Sequence, residues 1–324
     1  MNRSKKEVCI VGLGYIGLPT AALLAYKDFN VIGVDINERV VKTVNSGKVH
    51  IVEKDLDSLV KKVVENGKLR ASVSLPVADV FIIAVPTPIG QNYKPDISYV
   101  EDAVKEISKV IKKGDLVILE STSSVGTTEK IIEIFKENTN GLTLPDPNMD
   151  SSINSDINVA YCPERVLPGN ILYELIENDR VIGGVTEKCS IEAKKFYQNF
   201  IEGECLLTNS KTAELCKLVE NSYRDVNIGF ANELSIISDK LDIDVWELIS
   251  LANHHPRVNI LQPGTGVGGH CIAVDPWFIV SEFEKEAVII RNARQINNYK
   301  TEWVIEKIRS TALQFELDNN LKPT

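Results

Sequence analysis

The run Gly12-Leu-Gly14-Tyr15-Ile16-Gly17 constrains this chain more than any other feature, because of what flanks it. Glu7–Val11 before it reads as a buried strand, Ile16–Tyr26 as a helix of small and apolar residues, and Asn30–Asp35 as the next strand. In that setting the three glycines have separate duties. Gly12 permits the tight turn, Gly14 lets a pyrophosphate approach the backbone, and Gly17 allows close packing of helix on sheet, with the helix N-terminus facing the phosphates. Tyr15 and Ile16 lie inside the same cofactor loop. Asp35 ends the second strand, where a carboxylate accepts hydrogen bonds from an adenosine ribose and repels a 2′-phosphate, so NAD is expected over NADP.

Further strand patterns follow at Val80–Pro86, Asp115–Glu120, Ile157–Cys162 and Arg180–Gly184, with helical patterns at Tyr99–Ile111 and Glu129–Glu137 between them. Alternation of this kind predicts an α/β fold, a Rossmann-type doubly wound and mostly parallel sheet. The Pro-, Asn-, Asp- and Ser-rich stretch Thr143–Asp156 reads as a surface loop inside that domain. From about Ser210 the texture changes to long helical periodicity, with Thr212–Leu241 free of proline. The expected division is therefore an NAD-binding domain over 1–209 and a helical central domain over 210–324, which suits a chain longer than one usual domain.

A formal net charge of -9 argues against a general nucleic-acid-binding role and leaves room for a local basic pocket that holds an anionic substrate. The six cysteines form no CxxC pair or cluster, which disfavours a disulfide framework and a zinc site and points to a reducing cytoplasm. Met1–Lys6 runs straight into the first strand without an apolar leader, and no segment gives about 20 uninterrupted apolar residues, so neither a signal peptide nor a membrane span is expected.

Hydroxyl residues stand beyond two strand ends: Thr87 in Ala84-Val-Pro-Thr-Pro88, and Thr122 and Thr127 in Glu120-Ser-Thr-Ser-Ser-Val-Gly-Thr127. Ligands bind at such strand ends in open α/β sheets, so Thr87 and Thr122 are either nicotinamide-side contacts or turn residues satisfying their own backbone. On the long helix, Lys217, Asn221 and Arg224 share one narrow face at about 100° per residue, with Leu215, Leu218, Val219, Val226 and Phe230 expected to be buried around them. Such a face is either an ordinary solvated stripe or part of a site. Cys271 ends the glycine-dense run that begins at Pro263. It is either a small buried hydrophobe or a nucleophile served by Asp275-Pro276, which reads as an N-cap followed by a proline in the first helical turn. A thiol beside a hydride carrier suits an alcohol oxidation carried through to the acid, with the aldehyde held as a thiohemiacetal.

Together these residues resemble the UDP-sugar 6-dehydrogenase family. The resemblance runs from Val8 to about Lys307 and rests on Gly12–Pro19, Tyr161-Cys-Pro-Glu164-Arg165-Val166, Ala213-Glu-Leu-Cys-Lys217-Leu-Val-Glu-Asn221 and Gly268-Gly-His-Cys271-Ile-Ala-Val-Asp275. The wording Gly-Gly-His-Cys-Ile-Ala-Val-Asp is similar to the branch that acts on UDP-N-acetylmannosamine. The resemblance implies a Cys271 nucleophile, Lys217 moving protons near the oxidised carbon, Asn221 as an oxyanion or hydroxyl partner, and Glu164 and Asp275 assisting proton transfer and thioester hydrolysis. It also implies a UDP-sugar site lined by Arg165, Val166, Lys217, Asn221, Arg224, His255, Arg257, Asn259 and Gly268, a homodimer, and no metal. The product implied is a uronic acid used for surface polysaccharide precursors, with UDP-glucose as the alternative substrate. Family members continue into a C-terminal UDP-binding domain, so a chain ending at Thr324 is expected to lack it and to turn over poorly.

Two other readings stay open on the residues. A 3-hydroxyacid or 6-phosphogluconate-type dehydrogenase also joins a Rossmann domain to a helical one and uses lysine and asparagine, without need of Cys271. A non-enzymic chain that binds NAD and dimerises is the other.

Overall fold

The computed structural model describes residues 6–90, 93–148, 154–167 and 169–321. The chain forms two compact units, one made of residues up to Gly90 together with Pro95–Lys217, the other of the segment 91–94 together with Leu218 onward.

The first unit is built on one eight-stranded sheet: β1 (Glu7–Val11), β2 (Asn30–Val34), β3 (Leu69–Ser72), β4 (Val80–Ile83), β5 (Leu116–Leu119), β6 (Asn158–Tyr161), β7 (Arg180–Gly184) and β8 (Cys205–Asn209). Their spatial order is β3-β2-β1-β4-β5-β6-β7-β8. Helices α1 (Gly17–Tyr26), α2 (Glu38–Asn45), α3 (Leu56–Glu65), α4 (Ser98–Ser108), α5 (Thr127–Asn138), α6 (Ile171–Glu177) and α7 (Glu187–Tyr197) join the strands. Val80–Ile83 and Leu116–Leu119 are buried at every position, as expected of parallel strands covered on both faces. Alternate residues feed two cores: Val8 and Ile10 pack on the side of Leu18 and Leu24, while Cys9 and Val11 pack on the side of Val104 and Phe135. The order reverses at β1, whose neighbours are β2 and β4, and the glycine-rich loop leaves the sheet at that switch point.

The doubly wound expectation holds, with three differences. Strands β4, β5 and β6 stop short of Pro86, Glu120 and Cys162, because beyond Ile83, Leu119 and Tyr161 the chain leaves the ladder for loops at the carboxyl edge. Strands β3 and β8 carry no apolar run along their whole length, since both lie at sheet edges and show exposed positions within them. Strand β7 runs antiparallel to β6, pairing Ala160 with Gly184 and Tyr161 with Gly183, which brings its first residue, Arg180, to the carboxyl end of β6. Of the irregular stretch 143–156, residues 149–153 lie outside the described residues. Its ends are fastened where the Asp156 amide donates to the Thr143 carbonyl at 2.7 Å and the Thr143 amide to the Asp156 carboxylate at 3.0 Å.

Helix α8 (Ser210–Leu241) begins where the change of texture is expected, and the unit boundary falls farther along it, after Lys217. The second unit adds α9 (Val245–Ala252), α10 (Asp275–Glu282) and α11 (Val288–Asn319). Here the expected burial on α8 is corrected: Leu218 is buried, but Leu215 is 40% exposed, Val219 47% and Phe230 52%, and Val226 is half-buried. Much of the buried face of α8 is polar, because α11 supplies partners for it. Asp225 pairs with Arg294 at 2.5 Å and accepts from Asn297 at 2.8 Å, Asn232 donates to Asn297 at 2.8 Å, and Lys300 donates to Ser235 at 2.7 Å. Gly229 lets the two helices close up, since a Cβ there would lie 3.2 Å from the Ala293 Cβ. Among the described residues no helix is long and apolar enough to cross a membrane.

Candidate active site

Around the first βα turn the glycines divide by what surrounds them. Gly12 has φ +95°, and a Cβ there would lie 2.6 Å from the Ala84 carbonyl oxygen; one at Gly17 would lie 1.8 Å from the Gly12 oxygen. Both positions therefore exclude any side chain. At Gly14 nothing lies within 4 Å of where a Cβ would stand, so the loop is open on the side a ligand would use. Ile16 occupies the N-cap of α1 and no side chain caps that helix; the Leu18 amide donates to the Gly14 carbonyl at 3.1 Å and Pro19 has no N–H, so what this end offers an anion is the positive end of the helix rather than a row of free amides. Tyr15 is 54% exposed beside it. Asp35 accepts from the Leu13 amide at 3.1 Å and the Asn37 amide at 2.9 Å, so it locks the loop to the end of β2, and each oxygen keeps a lone pair for a ribose hydroxyl. These residues fit a dinucleotide.

The loops after β4 and β5 are tied together by Ser121, whose hydroxyl donates to the Val85 carbonyl at 2.7 Å. Thr87 and Thr122 are half-buried in those loops. Thr127 is buried at the first position of α5, and its hydroxyl donates to the Ser124 carbonyl at 2.7 Å, within its own turn. Glu214, which sequence reasoning passed over, explains how this loop keeps its shape. Fully buried in the first turns of α8, it accepts from the Gly126 amide at 2.6 Å, the Thr128 amide at 2.7 Å and the Thr128 hydroxyl at 2.6 Å. Burial raises the Glu214 carboxyl above the usual range despite those three donors. Lys217 follows three residues later on the same helix and is half-buried.

Beyond β6, Glu164 is 6% exposed; one carboxylate oxygen accepts from the Arg165 amide at 2.7 Å and the other pairs with Arg180. The Arg165 guanidinium donates to the Asp179 carbonyl, and Val166 packs against the hydrophobic core. The loop is held from a distance by Glu53, whose carboxylate accepts from the Gly169 amide at 2.8 Å and the Ile171 amide at 2.9 Å, at the start of α6. Behind Glu164 lie Glu120, Tyr197 and Cys162. The Tyr197 hydroxyl donates to Glu120 at 2.8 Å. Burial, reinforced by the charge of Glu164, pushes the Glu120 carboxyl up to about 7, and burial pushes the Cys162 thiol up to about 12. A thiol so placed is a core residue.

In the second unit, Asn221 donates through Nδ2 to Asp275 Oδ2 at 2.6 Å, both side chains being buried. Asp275 is the first residue of α10 and not its cap: Val274 holds the N-cap position, and Pro276 follows inside the first turn. The amides of Val274 and Asp275 donate to the Cys271 carbonyl at 3.0 and 2.8 Å, which fixes the turn that carries the thiol. Cys271 itself is exposed, so the buried-hydrophobe reading does not describe it. Gly268 is exposed in the same loop, with nothing within 4 Å of a Cβ. The loop is anchored upstream by the Gly264 amide, which donates to Asn232 on α8 at 2.8 Å. Arg224, His255, Arg257 and Asn259 are all exposed, and the Arg257 amide donates to His255 Nδ1 at 3.3 Å. No group of His, Cys, Asp and Glu among the described residues could hold a metal ion.

A glycine cradle at the switch point of a doubly wound sheet, with a carboxylate at the end of β2, defines a dinucleotide-binding protein of the NAD type. The chain belongs to the UDP-glucose/GDP-mannose dehydrogenase family: the model of the family's NAD-binding domain matches residues 6–201, and that of its central domain residues 211–299. It is 58% identical to the UDP-N-acetyl-D-mannosamine dehydrogenase of Campylobacter jejuni, over 95% of this chain and 75% of that protein. It is 54% identical to the NDP-N-acetyl-D-galactosaminuronic acid dehydrogenase of Ralstonia nicotianae, over 96% of this chain and 73% of that protein. Among solved structures, the UDP-D-ManNAc dehydrogenase of Pyrococcus horikoshii superposes with a TM-score of 0.88 at 41% identity, covering 98% of this chain and 73% of that one.

Proposed function

We propose that the protein oxidises the C6 hydroxymethyl group of a UDP-N-acetylhexosamine, UDP-N-acetyl-D-mannosamine first, to the carboxylate, using two NAD and one water per turnover. The observation that carries this reading is the 58% identity to a UDP-N-acetyl-D-mannosamine dehydrogenase over 95% of the chain, joined to an exposed Cys271 in a glycine-rich turn. The 54% identity to an enzyme named for an N-acetylgalactosaminuronic acid supports N-acetylhexosamines as the class, ahead of UDP-glucose.

In this mechanism Lys217 moves the proton of the C6 hydroxyl and stabilises the developing alkoxide. Bound NAD supplies the hydride acceptor for both oxidations. Cys271 adds to the aldehyde as a thiohemiacetal, a second oxidation leaves a thioester on its sulfur, and water releases the acid and restores the thiol. Asn221 presents its amide to the C6 oxygen, held for that purpose by its bond to Asp275. Asp275 and Glu164 manage the protons of hydrolysis. Arg165, Val166, Arg224, His255, Arg257, Asn259 and Gly268 line the nucleotide-sugar site.

The protein works as a homodimer in the cytoplasm, in keeping with six cysteines that form no disulfide, and its product serves as a precursor of surface polysaccharide. Val219, Tyr223, Phe230, Ile237 and Leu241 support the dimer: all are exposed, and at about 100° per residue they share one narrow stripe of α8. Mass spectrometry on a panel of UDP-sugars tests the reading. A product that has gained one oxygen and lost two hydrogens, fastest from UDP-N-acetylmannosamine, is expected; an aldehyde end product, or preference for UDP-glucose, would reject it.

A further inference from the structure

The charged cluster behind Glu164 is larger than an ion pair needs. Arg180, 2% exposed at the first position of β7, pairs with Glu164 through Nη1 and donates through Nη2 to the Leu175 carbonyl at 3.2 Å. Its guanidinium carbon lies 5.6 Å from the centre of the Tyr197 ring. The Tyr197 hydroxyl in turn holds one oxygen of Glu120, which is 4% exposed. Cys162 is fully buried against the same groups. Two carboxylates thus lie within the field of a single guanidinium in a site almost closed to water. Among the described residues, neither Glu120 Oε2 nor Arg180 Nε has a hydrogen-bond partner. Unsatisfied buried groups are rare in native folds, and a buried ion pair is weak evidence of stability, since apolar residues of similar volume often serve a core as well. An arrangement this costly at the carboxyl edge of the sheet points to function.

We propose that Arg180 is the positioning residue for Glu164, aiming its carboxylate, and that Glu120, with Tyr197, carries the cluster's mobile proton. The proposal rests on the reading that Glu164 handles protons in the reaction. Geometry divides the labour. Glu164 has both the guanidinium and the Arg165 amide, whereas Glu120 has one phenol and a bare oxygen, so a proton settles on Glu120 first. Antiparallel β7 is what makes this possible, because a parallel strand would place its first residue at the opposite edge.

The test uses the whole protein with Glu120→Gln, Arg180→Lys, Tyr197→Phe and Glu164→Gln. Difference infrared spectroscopy across neutral pH should show a protonated-carboxyl band that titrates in the wild type and is lost in Glu120→Gln. Its absence from the wild type overturns the proposal whether or not any variant turns over or folds. In steady-state kinetics, Arg180→Lys should lower kcat by at least about tenfold with KM for NAD little changed. Glu120→Gln and Tyr197→Phe should displace the acid limb of the kcat profile while leaving KM in place. Wild-type profiles in all three beside an inactive Glu164→Gln would show a merely structural cluster and leave the role of Glu164 standing. A fully active Glu164→Gln would remove that role, and this proposal with it.

Discussion

Asn221 Nδ2 donates to Asp275 Oδ2 at 2.6 Å, so a residue on α8 is fixed to the first residue of α10, four positions past Cys271. Both groups are buried. Truncating Asp275 to alanine leaves the Asn221 amide without this acceptor and should cost about 1–3 kcal/mol, read as a lower melting temperature. Asp275→Leu or Asp275→Ala proteins that melt like the wild type would show the contact to be dispensable.

Thioester hydrolysis gives a trapping experiment. Asp275→Asn keeps the shape of the contact and removes the carboxylate, so it should release acid slowly and accumulate a sugar adduct on Cys271, visible by intact mass spectrometry. Cys271→Ser should form no such adduct and lose acid formation by at least about 100-fold. An adduct-free Asp275→Asn that still makes acid would point to chemistry without a covalent step.

The glycines of the cofactor loop predict opposite phenotypes. Gly17→Ala drives a methyl onto the Gly12 carbonyl, 1.8 Å away, and should destabilise the first unit with or without cofactor. Gly14→Ala meets no protein atom within 4 Å, so it should melt like the wild type while NAD affinity falls by about tenfold or more in calorimetry. Equal NAD binding by Gly14→Ala would mean the pyrophosphate lies elsewhere.

Glu120 makes stability depend on pH in a direction opposite to most carboxylates. Its carboxyl is raised from 4.5 to about 7 on folding, so the folded state holds the proton more tightly than the unfolded one. That contribution is fully present below 4.5 and drains away as pH rises to about 7. Between pH 5 and 8 the wild type should therefore lose up to about 3 kcal/mol relative to Glu120→Gln in denaturant titrations. Parallel pH dependences would show that Glu120 titrates in the ordinary range.

Phe230, 52% exposed in the apolar stripe of α8, should matter to association and not to the fold of the single chain. Phe230→Asp should shift sedimentation toward monomer at unchanged helicity. A dimer that withstands both this change and Ile237→Asp must use another face.

How much of this was legible in sequence depended on whether a residue's role is local. Gly12, Gly14 and Gly17 act within one βα turn and Asp35 ends the next strand of the same βαβ unit, so spacing placed them, and the central strands announced themselves as apolar runs. Edge strands β3 and β8 had no such signature. Phe230 and Val219 looked like core because apolar spacing on a helix does not say which side is covered; α11 met the polar side instead. Arg180, Glu214 and Glu53 were invisible for a different reason. Each acts on a partner many positions away, and only the antiparallel β7, the start of α8 and the start of α6 bring them to it.

Glu53 carries a practical lesson for changing what the protein accepts. The segment bearing Glu164, Arg165 and Val166 takes its end point from a carboxylate 116 positions upstream. Grafting that segment from a relative without its own counterpart of Glu53 would import the sequence and lose the shape. Swaps meant to redirect sugar preference should move the two as a pair.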